Sequence, residues 1–285
     1  MLDGLLLLLV VVFVSAQQVT KKGFSGRVSG GTMTFSAASC VAALVVFLIT
    51  SGGKLVFSTE YLGYSALFAV SYGAAVVFGV LAIQTGPLSL TSLLTSFSLL
   101  IPTFYGIFVL HEPVSVTLYV GLALLLVALV LINLEKKGEK KQITLRWVVY
   151  VLLGFVGNGA CSTVQKVQQL AQNGAYKSEF MIAALIMAIL AMSVCALLME
   201  RGAIRESLKK GVAFYIPCGL ANGIVNFLVI VLAARMDASV MFPVISGGGI
   251  VLAFLISILF YKEKLSRWQI LGSVLGLVSV VLLNL

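Results

Sequence analysis

Charge is scarce in this sequence: Asp, Glu, Lys and Arg together make up 10% of 285 residues, where a soluble globular chain carries roughly a quarter. An ordinary water-soluble domain is excluded, because too few ionised groups exist to hydrate its surface. Histidine is all but absent, His111 being the single one, so no set of imidazoles can hold a metal. The four cysteines, Cys40, Cys161, Cys195 and Cys218, lie in apolar runs without Cys-x-x-Cys spacing and read as small hydrophobes. No metal and no other cofactor is expected. The sequence has no Gly-x-x-x-x-Gly-Lys-Ser/Thr loop to cradle a nucleotide and no Gly-x-Ser-x-Gly turn to present a nucleophile. With no catalytic constellation either, the chain is not expected to be an enzyme.

What the sequence has is apolar length. Hydrophobic residues make up 60% of it, gathered into runs at 3–20, 32–50, 61–82, 88–110, 115–134, 147–170, 179–200, 212–234, 239–261 and 266–284. Crossing a hydrocarbon layer of about 30 Å takes roughly 20 helical residues. Barrel strands would be about half as long and would alternate apolar with polar residues, which these runs do not. The expected fold class is all-α, a polytopic membrane protein of ten transmembrane helices. Val14-Ser15-Ala16 resembles a signal-peptide cleavage site, but Asp3 stands where such a peptide needs a basic residue. The first run is expected to be retained.

An internal repeat organises these runs. A shift of 151 residues, without gaps, lays Glu112 on Glu263, Ser115 on Ser266, Gly121 on Gly272, Asn133 on Asn284 and Gln17-Gln18 on Gln168-Gln169. Leu-on-Leu matches would arise by chance in so apolar a chain; paired Glu, Asn and Gln-Gln would not. The sequence divides into a first five-helix repeat (1–134), a basic cytoplasmic linker (135–146) and a second five-helix repeat (147–285). Because five is odd, the second repeat enters the membrane from the opposite side, so the repeats are inverted. Lys and Arg collect on the cytoplasmic side in short loops. Fifteen of them fall in the odd-numbered loops, and only Lys54, Lys177 and Arg235 in the even ones. That places both termini outside, in a plasma (inner) membrane, and explains the net charge of +9 by topology. Nucleic acid is not an expected partner; the lipid bilayer and a small-molecule substrate are, with the chain a monomer or a homodimer.

Each repeat ends in a related motif. The first reads Pro102, then Leu110-His111-Glu112-Pro113-Val114-Ser115, then Gly121 in an apolar run. The second reads Pro243, then Phe260-Tyr261-Lys262-Glu263-Lys264-Leu265-Ser266, Trp268-Gln269 and Gly272. In these features, and over nearly its whole length, the chain resembles the drug/metabolite transporter superfamily, specifically its ten-helix EamA-like permeases. The resemblance implies a secondary carrier of small metabolites or drugs that alternates access between two inverted repeats. Related transporters handle amino acids, sugars, nucleotide sugars and drugs, so no one substrate follows. The alternative is a structural or sensor membrane protein that transports nothing. The family is commonly described with cytoplasmic termini, opposite to the charge distribution here. The prolines do not superpose either: Pro102 lies ten residues before its Glu and Pro243 twenty, so the two helices should bend at different depths.

Inverted-repeat carriers bind substrate near the midplane, between the repeats. Candidate substrate-binding residues are polar groups on otherwise apolar runs. Asn158, Ser162, Gln165, Lys166 and Gln169 recur on one broad face of the sixth run. Lys166 is the one charge well inside a run, where a cation costs about 2.5 kcal/mol or more; it either attracts a polar or anionic substrate or snorkels to the headgroups. Asn222 and Asn226, one turn apart, share a face with Gly219 and Gly223 and serve either a ligand or an interhelical hydrogen bond. Thr95, Ser98 and Tyr105 lie on a stripe with Thr91 and Pro102, and Ser246 occupies the position of Thr95 in the second repeat. Gly248, between Gly247 and Gly249, permits close packing or local unwinding. Glu112 and Glu263, with Pro102 and Pro243, are structural or gating candidates, the two carboxylates standing where they would complement the dipoles of the helices they precede. Gly272, Gly276 and Gly121 suit close helix packing or a dimer contact. No Asp or Glu falls in the middle of a run, so no proton-carrying carboxylate is expected there.

Overall fold

The structure, a computed structural model, describes residues 2–28, 30–86, 88–133, 143–261 and 266–283. Glu263 and most of the predicted basic linker lie outside these residues. Among the described residues the secondary structure is entirely helical. The elements are α1 (Leu2–Ser25), α2 (Thr32–Thr50), α3 (Leu62–Thr85), α4 (Leu88–Ser96), a 3₁₀ turn (Phe97–Leu99), α5 (Leu100–Phe104), a π turn (Tyr105–Val109), α6 (Val116–Asn133), α7 (Leu145–Ala171), α8 (Lys177–Met199), α9 (Ile204–Ala233), α10 (Ala238–Tyr261) and α11 (Arg267–Leu283). Six of them, α1, α2, α3, α7, α8 and α9, are long and apolar enough to cross a membrane. Their outward faces carry large apolar side chains such as Leu8, Val70, Leu152 and Leu190. In water this would be an aggregation surface; in a bilayer it is the solvated one.

Two helices run further than the apolar runs predict. α1 continues through Lys21 and Lys22, and α9 begins at Ile204, eight residues before the expected 212. Lys and Arg are good helix formers, so the helix does not stop where the hydrophobic run does. Lys210 pairs with Glu206 at 2.8 Å, one turn away on the exposed part of α9.

The run expected as one helix over 88–110 is instead broken twice. Pro102 has no N–H to give the Ser98 carbonyl, and the chain tightens into the 3₁₀ turn just before α5. It then widens into the π turn, where the Leu110 N–H reaches the Tyr105 carbonyl at 3.1 Å. α10 also contains Pro243 but continues as one helix past it. The two prolines therefore act differently, one at a break and one inside an intact helix.

The most extensive packing is between, rather than within, the halves of the sequence. α3 lies antiparallel to α7, α2 beside α8 and α9, α1 beside α9 and α10, and α6 antiparallel to α11. Glycines set these approaches. A methyl on Gly121 would fall 2.9 Å from Leu283 Cγ, and one on Gly272 2.9 Å from Ile132 Cγ1. These glycines, expected to serve packing or a dimer, therefore close α6 against α11 within one chain. The Gly219 and Gly223 edge of α9 is taken up by α2, so the face predicted for Asn222 and Asn226 is divided between two neighbours. Gly248 and Gly249 lie against Val11 and Val14 of α1, with α10 still helical: close packing, not unwinding.

A side chain at Gly219 meets backbone, which cannot move aside: its Cβ would lie 2.2 Å from the Ser39 carbonyl oxygen. Gly219→Ala is expected to destabilise the protein by about 1–3 kcal/mol, whereas Gly63→Ala on α3, with open space around it, is expected to be neutral or slightly stabilising. Thermal unfolding of the two variants in detergent checks the contrast.

Candidate functional site

The helix ends define two mouths of the bundle. At one end, Phe24 of α1 meets Gly211 of α9, and the carboxylate of Glu200, just after α8, accepts from the Met33 N–H at 3.0 Å and the Thr34 N–H at 3.1 Å. Glu200 thus caps α2 from another helix, and this is the end of Lys21. At the other end, Asp3 faces Arg235 at 3.5 Å, and Glu179 accepts from the Val56 N–H. This is the end of Glu112.

Between them lies a cavity of about 600 Å3. It reaches from Gln18, Lys21 and Ile83, all exposed, at the Lys21 end to the middle of the bundle, where buried Gln165 lines it. Both halves of the sequence contribute: Thr95 and Ser98 from the broken fourth run, Asn158, Ser162 and Gln165 from α7, Asn222 and Asn226 from α9, and Ser246 from α10. The polar residues are held there because the opposite edges of their helices are locked by glycine contacts. Gly157 and Gly159 fix the rotation of α7 against Ala75 and Ile101, and Gly223 fixes that of α9 against Val46.

The amides are linked. Asn226 Nδ2 donates to the Asn222 backbone carbonyl at 2.8 Å and to Asn222 Oδ1 at 2.9 Å, and Gln165 Nε2 donates to Asn226 Oδ1 at 2.6 Å. Asn158 Nδ2 donates to Ser98 Oγ. Higher up, Trp147 Nε1 donates to Thr91 Oγ1 at 2.9 Å. Ser39, only 4% exposed, is among the lining residues, but its Oγ is buried from the cavity and has no hydrogen-bond partner among the described residues.

Three of the sequence candidates lie elsewhere. Lys166 and Gln169 point away from the cavity, and Tyr105 belongs to the π turn. Lys166 does not snorkel: it is 5% exposed, donates to the Met236 carbonyl at 2.6 Å, and lies 3.6 Å from Glu112 Oε1. Gln169 donates to Gln168, which in turn donates to Gln172 at 2.6 Å and to the Ala175 carbonyl at 3.2 Å, knitting together the turn after α7.

Glu112 corrects the expectation that it serves the helix it precedes. Its Oε1 accepts from the Ala238 N–H and its Oε2 from the Ser239 N–H, both at 2.8 Å, so it caps α10. α6 is capped by Ser115, whose Oγ accepts from the Leu118 N–H at 3.1 Å. The reversal comes from His111 at φ 53°, which turns the chain back after the π turn. Gly106 leaves the space required, since a Cβ there would lie 2.2 Å from Glu112 Oε2. Pro102, Gly106, Glu112 and Lys166 therefore form one closure at this end.

The comparisons with known proteins bear on the fold alone. No family model matches the chain, and no curated protein matches it. A crystal structure of a protein 14% identical in sequence is similar over 98% of this chain and 95% of its own, with a TM-score of 0.78. Such agreement over whole chains at such low identity shows a shared fold and leaves the activity to be argued from the site.

Sequence reasoning missed Gln17, Gln18, Ser36, Ser39 and Tyr72, which line the cavity. Gln17-Gln18 was visible as the repeat partner of Gln168-Gln169, and the pair in the first half, not the second, faces the cavity. Single polar residues such as Ser39 and Tyr72 gave no periodic signal. Cys161 and Cys218, read as small hydrophobes, also reach the lining as free thiols.

Glu112→Gln leaves Lys166 buried with only the Met236 carbonyl and is expected to destabilise the protein by about 3 kcal/mol or more. Lys166→Met leaves Glu112 with two N–H donors at a positive helix end, so its expected loss is smaller, about 1–2 kcal/mol. Guanidinium unfolding of both variants in detergent measures the difference, and the reverse ranking would refute this account of the pair.

Proposed function

We propose that the chain is a secondary transporter of small solutes, with ten membrane-crossing helices in two inverted repeats that alternate access to a shared central cavity. The observation that carries this reading is the shape of that cavity: it sets a group of amides and hydroxyls among apolar side chains, is built from both halves of the sequence, is open at the Lys21 end and is closed at the Glu112 end by buried groups. A purely structural protein has no need of such a recess in the middle of an apolar bundle.

The packing supports the inverted repeat. Shifting by 151 residues turns the contact of Gly121 with Leu283 into that of Gly272 with Ile132, as a two-fold relation requires. The same shift exchanges the pairing of α3 with α7 for that of α9 with α1, and lays the start of α6 on the start of α11. The antiparallel course of α6 and α11 fits an axis in the membrane plane rather than along its normal. The motifs resembling EamA-like permeases, one of them contributing Glu112, agree with this reading. The basic residues clustered near Lys21 support a cytoplasmic assignment for that end, on which this is an inward-open state with both termini outside. The closure around Glu112 and Lys166 is then the outer gate, and α10, whose N-terminus Glu112 holds, is the element that must be released for it to open.

Two measurements test the proposal. Vesicles containing the purified protein, loaded with pooled labelled metabolites, should show saturable counterflow that empty vesicles lack. Cys161 should react with a water-soluble maleimide from the Lys21 end, and a transported solute should slow that labelling. Absence of flux for every pool, with Cys161 labelled equally with or without solute, would overturn the transporter reading.

A further inference from the structure

The cavity offers hydrogen bonds in abundance but no buried charge free to meet a cargo. Among the described lining residues there is no carboxylate, and the one cation, Lys21, is exposed at the mouth. The two charges buried among the described residues are already engaged: Glu112 holds the start of α10 and faces Lys166, and Lys166 is bound to the Met236 carbonyl; half-buried Glu200 holds the start of α2. An ion carried to the depth of Gln165 would lose hydration without gaining a counter-charge.

The amide relay has a fixed direction. The Asn222 backbone carbonyl can only accept, so Asn226 must turn its Nδ2 toward it and its Oδ1 toward Gln165. Gln165 must then donate through Nε2, leaving Oε1 as an acceptor, while Asn222 gives Oδ1 to Asn226 and keeps Nδ2 as a donor. No described residue engages those two outer atoms.

Resting on the transporter reading, we infer that the cavity takes an uncharged polar solute carrying both hydrogen-bond donors and acceptors, and rejects cations, anions and zwitterions. The solute gives a donor to Gln165 Oε1 and receives one from Asn222 Nδ2. Polyols, nucleosides and neutral amides have this chemistry and fit within about 600 Å3.

The test uses the full-length protein in nanodiscs. Trp147 reports occupancy through its hydrogen bond to Thr91, which lines the cavity. Fluorescence titrations with ribitol, myo-inositol, uridine and acetamide are compared with tetraethylammonium, arginine, glutamate and inorganic phosphate, and the same probes are then run in vesicle counterflow. Saturable binding confined to the uncharged set is expected, weakened at least ten-fold by Asn222→Ala and by Gln165→Leu in protein that still elutes as a single species. Asn222→Asp should weaken uncharged probes and admit tetraethylammonium. Binding of an uncharged probe without flux would remove the transporter reading and leave the solute class standing. Saturable flux of a charged probe would do the opposite. Binding of charged probes only, or of none of the eight, would overturn the inference.

Discussion

The Glu112 carboxylate is the interaction on which the closed end of this bundle depends. It supplies two acceptors to the start of α10, balances the charge of Lys166 and fills the space left by Gly106. None of these groups could remain there alone. The first N–H groups of a buried helix need acceptors, a buried ammonium needs an anion, and an unfilled space at a helix crossing forfeits dispersion contacts. One carboxylate meets the three needs because the break at Pro102, the π turn and the left-handed His111 bring it back beneath a helix more than a hundred residues later in the chain.

Glu200 does related work at the opposite end, where it caps α2 from beyond the end of α8. In an apolar medium a helix N-terminus cannot rely on water for its free N–H groups, so capping by a distant carboxylate is a way to bury one. The two carboxylates also tie together helices that are remote in sequence. The ends of the bundle are held by charge and hydrogen bonds, while its length is held by glycine-mediated contact and dispersion.

The middle is built differently. Its polar groups are amides and hydroxyls, which hydrogen-bond to one another and so tolerate burial without a counter-charge. Such a lining is stable when empty of solute and still leaves the outer atoms of the relay available. A bundle with charge at its ends and uncharged polarity at its centre can move at the ends without exposing an unpaired ion at the centre.

Helix positions were legible in the sequence because they depend on local quantities: run length, apolar content and the residues that end a run. The 151-residue shift is likewise a property of the sequence itself, since Glu, Asn and Gln-Gln pairs are rare in so apolar a chain. Rotation about each helix axis was not. Asn158, Gln165, Asn222 and Asn226 could be chosen as polar residues in apolar runs, but Lys166, the neighbour of Gln165, faces the other way, about 100° around the same helix. Which neighbour meets the cavity was decided by where glycines let α7 approach α3 and the broken fourth run. The pairing of Lys166 with Glu112 and the capping of α10 rather than α6 likewise join residues far apart in sequence. Local patterns specify that a helix forms and how much of it is apolar; only packing against several neighbours at once sets the angle at which its few polar side chains are presented.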